Sequence, residues 1–289
     1  MSAVDVALRC DNIHGEGPVW SEREQLLYWT DIEGSRIWRY NPVSDEADSI
    51  AMAEKVCAIA FRKRGGLLLA LEGGLAFFNP DNGTLERIHD VESEIPGTRL
   101  NDGRCDRNGR FVVGGFDNDA AGRSGVYRLD PDLSIHHLFG GLSSGNSTCF
   151  SLDGRTMFHA DTPQAEIWAF DYNLESGEVG DRRTFCTFAD QPGVPDGSVI
   201  DADGCLWNAQ WNGGRVVRYT PDGSVDRVIE VPVTNPTCIT FGGPELDTLY
   251  ITTSRLTLSE EQRNAEPDAG NLLAVKPGVK GLAEDTFGG

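Results

Sequence analysis

Asn101 to Pro131 reads NDGRCDRNGRFVVGGFDNDAAGRSGVYRLDP, and the plan of this stretch recurs along the whole sequence. A first short run ends in the polar turn Arg107-Asn108-Gly109. An apolar run, Phe111-Val112-Val113, follows it, and after a loop a third strand stops at Asp130-Pro131. Turn residues between two apolar runs mark hairpin-linked strands, and proline ends the pairing because it has no N–H to give to the ladder. The same plan begins at Glu16 (EGPVWS), Cys57 (CAIAFR), Asn146 (NSTCFS), Asp196 (DGSVID) and Thr237 (TCITFG). With Asn101 in its place, the six starts lie 41, 44, 45, 50 and 41 residues apart. In that register the fifth position is always apolar: Trp20, Phe61, Cys105, Phe150, Ile200 and Phe241.

The third strand meets a proline in five copies (Pro42, Pro80, Pro131, Pro221, Pro277), while the fourth copy carries Phe170-Asp171-Tyr172 instead. Each gap leaves room for a fourth, outer strand, such as Val225 to Val231. Four short strands repeated at this period are the signature of a propeller blade. The expected fold is therefore all-β: a six-bladed β-propeller with four-stranded antiparallel blades, forming one domain over residues 1–289. The last copy lacks sequence for an outer strand, and Val4 to Arg9 precedes the first blade without belonging to it. The N-terminal strand is expected to close the ring by pairing into blade six, which removes exposed sheet edges.

Composition bounds the partners. With 25 basic and 45 acidic residues the protein has a net charge of -20. The acidic surplus is spread along the sequence, so nucleic acid and anionic membrane surfaces are repelled. No stretch approaches the ~18 apolar residues of a membrane helix, and Met1 to Cys10 has neither a basic start nor an apolar core for export; a cytoplasmic location is expected. Seven widely spaced cysteines without a C-x-x-C give no disulfide framework or thiolate zinc site. No heptad or exposed apolar patch is readable, and a monomer is expected.

The first residues of the six inner strands all face the central space of such a propeller. They are Glu16, Cys57, Asn101, Asn146, Asp196 and Thr237, and four of them carry carboxylate or amide oxygens where a packed strand would prefer Val or Ile. Two crowded carboxylates call for a cation, and neutral amide oxygens beside them add ligands. An oxygen-only donor set suits a hard divalent ion. Three or four protein ligands leave positions open for water and substrate.

Gly15-Glu16-Gly17-Pro18, Arg99-Leu100-Asn101-Asp102-Gly103, Asn146 to Gly154 and Pro195-Asp196-Gly197 resemble the motifs of the regucalcin (senescence marker protein) and gluconolactonase family. Leu206-Trp207, Gly213 to Tyr219 and Phe241-Gly242-Gly243 extend the likeness over essentially the whole sequence. The resemblance implies a six-bladed propeller that binds one divalent metal and hydrolyses sugar-acid lactones. Calcium is the leading ion, with zinc, magnesium and manganese as alternatives. By position it implies Glu16, Asn146 and Asp196 as metal ligands, Asp196 also as the catalytic base, and Arg99 and Asn101 as the substrate-binding pair; Asp102, next in sequence, is expected to support them in binding substrate. The sequence differs from the family pattern at Asn146-Ser147, where Asn-Gly is common, and at Gly114 to Asp119, where several relatives have Gly-Thr-Met followed by a glutamate.

The partner so implied is a small sugar lactone. The rivals are a non-catalytic calcium- or sugar-acid-binding propeller and a hydrolase of another ester, such as a phosphotriester. Gly141-Leu142-Ser143-Ser144-Gly145 matches the serine-elbow pattern, but that motif needs a helix after it and a first strand is expected there. Asp117-Asn118-Asp119 lacks the rest of a calcium loop and reads as solvated. His159 is placed on the second strand of blade four, near the channel. Ser259 to Ala265 has an N-cap and an acidic first turn, so a short helix is expected in the long loop of blade six.

Overall fold

The computed structural model describes residues 3–289; Met1 and Ser2, the start of the segment read above for a leader, lie outside the described residues. Its strands form six four-stranded antiparallel sheets, and in all but one of them the strands follow each other in sequence order. The fold is a six-bladed β-propeller. The inner strands are Gly15–Ser21, Val56–Phe61, Thr98–Cys105, Gly145–Phe150, Val194–Ile200 and Pro236–Gly242. Each contains the repeat start read from the sequence. The third strands end at or one residue before the residue preceding each predicted proline. No helix among the described residues is long and apolar enough to cross a membrane.

By contact the structure falls into two compact units. The first runs to Lys55 and resumes over Phe188–Ala283, so it holds blades one, five and six. Its apolar interior is built from inward positions of successive strands, among them Trp207, Val216, Phe241 and Ile251, all at most 1% exposed. The sheet of blade six is completed from the other end of the sequence. Asp5–Leu8 pairs antiparallel with Leu272–Val275, Asp5 opposite Ala274 and Val6 opposite Leu273. This is the predicted closing strand, and it covers the backbone edge that blade six would otherwise expose. The helix expected in the same blade is Glu260–Ala265, with a reciprocal capping box between Ser259 and Gln262.

The second unit comprises Val56–Thr187, which holds blades two, three and four, together with Glu284–Gly289. That last segment is not foreshadowed by the repeat. Phe287 is fully buried in the apolar cluster shared by blades two and three. Its N–H donates to the Phe61 carbonyl at 2.8 Å, and its own carbonyl accepts from Lys63 N at 2.9 Å. Arg104 meets Glu284 at 2.6 Å and Arg107 meets Asp285 at 2.5 Å. The tail thus brings one aromatic anchor and two carboxylates to a pair of arginines that the blades supply.

One irregularity recurs in all six inner strands. Pairing with the second strand slips between Glu16 and Val19, Val56 and Ala58, Leu100 and Gly103, Asn146 and Cys149, Pro195 and Ser198, and Pro236 and Ile239. In each case the inner strand has one residue more than its partner, which defines a β-bulge. A bulge unpairs a residue and re-aims its side chain, and bulges recur beside functional sites. The six repeat starts fall at these bulges, so the polar positions singled out in the sequence occupy the irregular points of otherwise regular ladders.

Candidate functional site

In the first unit the two candidate carboxylates stand on separate copies of this bulge device. Glu16 is 6% exposed, is opposite Thr30, and is the last regularly paired residue before Gly17, whose φ is +53°. Its Oε2 accepts from Gly17 N at 2.9 Å, so the carboxylate folds back over the bulge. Asp196 is 5% exposed. Its backbone is held by Asn208, whose Nδ2 donates to the carbonyls of Asp196 (3.0 Å) and Gly197 (3.3 Å) and to Ser198 Oγ (3.0 Å). Gly197 is required sterically, since a Cβ there would stand 2.2 Å from Cys238 Sγ. The Asp-Gly pair thus places a carboxylate at a bulge that blade six presses against.

The second unit holds a continuous run of polar contacts. Asn146, 5% exposed, donates from Nδ2 to Thr162 Oγ1 at 2.8 Å. Its Oδ1 accepts from Asn101 Nδ2 at 3.0 Å, and the same Asn101 amide also reaches Gly145 O at 3.0 Å. Asn101 Oδ1 in turn accepts from Arg99 Nη1 at 2.6 Å. That nitrogen also donates to Leu100 O at 2.9 Å and lies 3.8 Å from Cys57 Sγ. The guanidinium carbon sits 4.4 Å from the centre of the Phe116 ring, the residue directly opposite Arg99 in the hairpin. Arg99 is only 7% exposed, and among the described residues no carboxylate forms an ion pair with it. A buried cation without a counter-charge is costly in any protein. The contrast with the other well-buried arginines is clear: Arg104, Arg128 and Arg218 each hold a carboxylate within 2.8 Å.

Asp102 lies elsewhere. It is 8% exposed, and its Oδ2 accepts from the backbone N–H of Thr148 at 2.7 Å, a brace between the inner strands of blades three and four. Burial pushes its carboxyl up, opposed by Arg104 and the Thr148 N–H. Ser147, the departure from Asn-Gly, adopts φ +59°, the left-handed region that glycine enters without strain. The bulge keeps its shape although a side chain occupies that position.

Three further readings are sharpened or corrected. Asp117 is 1% exposed rather than solvated, because its carboxylate gathers the N–H groups of Asp119, Ala121 and Arg123 at 3.0–3.1 Å and the Arg123 guanidinium. That arginine holds the carboxyl well below its ordinary range. His159 is fully buried between the sheets of blades three and four, edge-on to Phe139, with Nδ1 at 3.2 Å from Thr148 Oγ1. Burial lowers its pKa to about 3, so it stays neutral. The Ser143–Gly145 segment leads into the inner strand of blade four, a strand where the serine elbow requires a helix. All seven cysteines are buried, and no disulfide joins any of them among the described residues. Phe116 and Thr162 were not found from the sequence; Phe116 was accessible only through its register opposite Arg99.

The donor set can be judged by its chemistry. Glu16, Asp196 and Asn146 are oxygen donors, each more than nine-tenths buried. The Asn146 amide nitrogen is committed to Thr162 and its Oδ1 accepts from Asn101, so the second lone pair of that oxygen is what it presents. The two carboxylates of the first unit and the amide oxygen of the second are each of the donor type that a hard divalent cation takes.

The fold and these motifs place the protein in a defined class, and comparison with known proteins agrees. Residues 14–255 match the SMP-30/Gluconolactonase/LRE-like region, and the protein belongs to that family. It is 40% identical to L-arabinolactonase of Azospirillum brasilense over 96% of its own length and 93% of the relative. It is 35% identical to 6-deoxy-6-sulfogluconolactonase of Pseudomonas putida over 98% and 97%. Among solved structures it is similar to a calcium-binding protein, regucalcin, from Agrobacterium tumefaciens str. C58, with a TM-score of 0.95, 30% identity, and coverage of 99% of this protein and 97% of that one.

Proposed function

We propose that the protein is a metal-dependent hydrolase that opens a sugar-acid lactone, an aldono- or aldarolactone, to the free sugar acid, acting as a single monomeric domain in the cytoplasm. Family membership and the two sugar lactonases among its relatives support the reaction class. The observation that carries the reading is Arg99: a buried guanidinium that forms no ion pair with a described carboxylate, joined through Asn101 to Asn146. Such a group suits a ligand that is rich in hydroxyl oxygens and leaves as an anion.

In this reading Glu16, Asn146 and Asp196 hold one divalent ion, calcium first among the candidates. When bound, the ion would supply Lewis-acid polarisation of the lactone carbonyl. Asp196 takes a proton from the attacking water, a task that needs a carboxylate within hydrogen-bond reach of that water. Asn101 and the unengaged edge of the Arg99 guanidinium hold substrate oxygens. Phe116 keeps the guanidinium plane in place, and Asp102 fixes the backbone from which Asn101 projects.

Titrating the acid released from D-glucono-1,5-lactone and L-arabino-1,4-lactone at constant pH tests this. Base consumption should fall to the uncatalysed rate after chelation and return with one divalent ion. A second reading is favoured by the calcium-binding regucalcin neighbour: a protein that binds calcium without turnover. Calcium binding with no base consumption on any lactone would establish that reading and overturn the first.

A further inference from the structure

The first unit contains a contact that neither the repeat nor the proposed ligands account for. The rings of His14 and Trp211 meet edge to face, 5.8 Å between centroids and 84° between planes. His14 leads into the inner strand of blade one, whereas Trp211 ends the second strand of blade five. Blade six lies between these two blades, its inner strand packed against both of theirs. Side chains of non-adjacent blades can touch only where the blades converge, so the pair stands at the inner end of this unit. His14 is held there by Nδ1, 2.9 Å from Ser254 Oγ of blade six.

The height of the pair along the strands is also fixed. His14 lies two residues before Glu16, and Trp211 is paired with Val194, two residues before Asp196. Two strand residues span about 7 Å, so the aromatic pair stands about one such step from each carboxylate, toward the start of the inner strands. Both residues are partly exposed, as is Trp38, while Trp20, Trp29 and Trp207 are at most 2% exposed. A partly uncovered indole about one such step from two carboxylates offers a flat apolar surface to a ligand.

The geometry points to Trp211, braced by His14, as a specificity-determining platform on which the C–H face of a sugar ring lies. This rests on the lactonase reading, and it commits to a cyclic sugar as the ligand. A pyranose or furanose lactone has an apolar C–H face and a rim of hydroxyls. Indole offers a large rigid apolar surface at little entropic cost, and pockets for such ligands combine an aromatic wall with a few placed polar groups. An acyclic sugar acid has no such flat face, so the platform should favour the closed lactone over the product acid.

The test uses probes that cannot be hydrolysed. The full-length protein is titrated, following tryptophan fluorescence, with 1,5-anhydro-D-glucitol, a cyclic sugar without a lactone carbonyl, and with the acyclic anion gluconate. Trp211→Leu should weaken anhydroglucitol binding about tenfold while leaving gluconate within about twofold, and Trp211→Phe should retain most of the cyclic-sugar affinity. If Trp211→Leu does not fold, His14→Gln should still weaken the cyclic probe alone, by about threefold. Binding of both probes as in the wild type would overturn the platform, as would a wild-type protein that does not bind anhydroglucitol. Lactone hydrolysis by the wild type is measured in parallel. A cyclic-sugar contrast without hydrolysis would leave the platform standing and remove the lactonase reading; hydrolysis without the contrast would do the reverse.

Discussion

The two compact units use one backbone device for opposite chemistry. In the first, the bulges of blades one and five carry the carboxylates Glu16 and Asp196. In the second, the bulges of blades three and four carry the neutral amides Asn101 and Asn146, backed by the guanidinium of Arg99. The bulge itself is set by pairing with the second strand, so it recurs whatever residue stands there. The comparison teaches that the repeat fixes where a polar group projects, and the sequence at each copy chooses only its charge.

The largest expected effect asks whether the two carboxylates are equivalent. Asp196→Asn keeps an oxygen of similar shape but loses its basicity, and Glu16→Gln removes one charge from a residue assigned to the metal alone. If Asp196 is also the base, its variant should lose roughly 10² to 10⁴ in kcat and stay inactive at saturating metal. The glutamine variant should recover with excess metal, because mass action offsets weaker binding. Measuring kcat across a metal titration decides it; full rescue of Asp196→Asn would leave the two residues alike.

The units also differ in how they are fastened, the first by the N-terminal strand and the second by Phe287. Phe287→Ala removes a fully buried ring from the cluster of blades two and three, which should cost about 3–5 kcal/mol. Denaturant unfolding read from separate probes in each unit would sharpen the comparison. Loss confined to the second unit would show that the two respond separately, whereas a single shifted transition would show that they unfold together.

A smaller effect falls on the arginine that gives the second unit its charge. Arg99→Ala should raise KM by about tenfold or more and lower kcat less, if the guanidinium holds ground and transition states alike. Equal losses in kcat and kcat/KM would place it on the developing charge instead. Phe116→Leu should move KM in the same direction by a smaller factor, since a cation over an aromatic face is worth about 0.5–2 kcal/mol.

The smallest effect concerns Ser147, the counterpart of Gly17 in the other unit; both follow a proposed ligand in the left-handed region, with φ of +59° and +53°. Ser147→Gly relieves about 1–2 kcal/mol of left-handed strain but loosens the unfolded state by about 0.5–1 kcal/mol. The melting temperature should rise by about two degrees. A fall of several degrees would mean that the serine side chain secures this bulge in a way glycine secures its counterpart without one.

Most of the fold was legible because its signals are local and repeated. Turn residues, prolines and a constant apolar fifth position set the register six times over, and the closing strand followed from what the last copy lacked. The proposed ligands were legible as positions, but their bulges were not, since a bulge is a miscount between two strands and leaves no mark on either alone. Asp102 and Asp117 show the same limit: both read as pocket or solvent residues until the structure revealed the backbone N–H groups they accept from. The role of the C-terminal segment lay beyond reach because Phe287 and Gly288 bond to Phe61, Lys63 and Gly109, far away in sequence.

That separation has a consequence for how the protein is made. A ribosome completes Val56–Thr187 well before it reaches Glu284–Gly289, yet the second unit needs both. Blades two to four therefore emerge with two arginines lacking their carboxylates and an apolar socket lacking its ring. They wait in that state until Glu284–Gly289 has been made and can dock. Exposed apolar surface of this kind is what nascent-chain chaperones hold. Maturation of the second unit thus waits on Glu284–Gly289, and a polypeptide stopped before Glu284 should leave that unit with its apolar socket and two arginines unfilled.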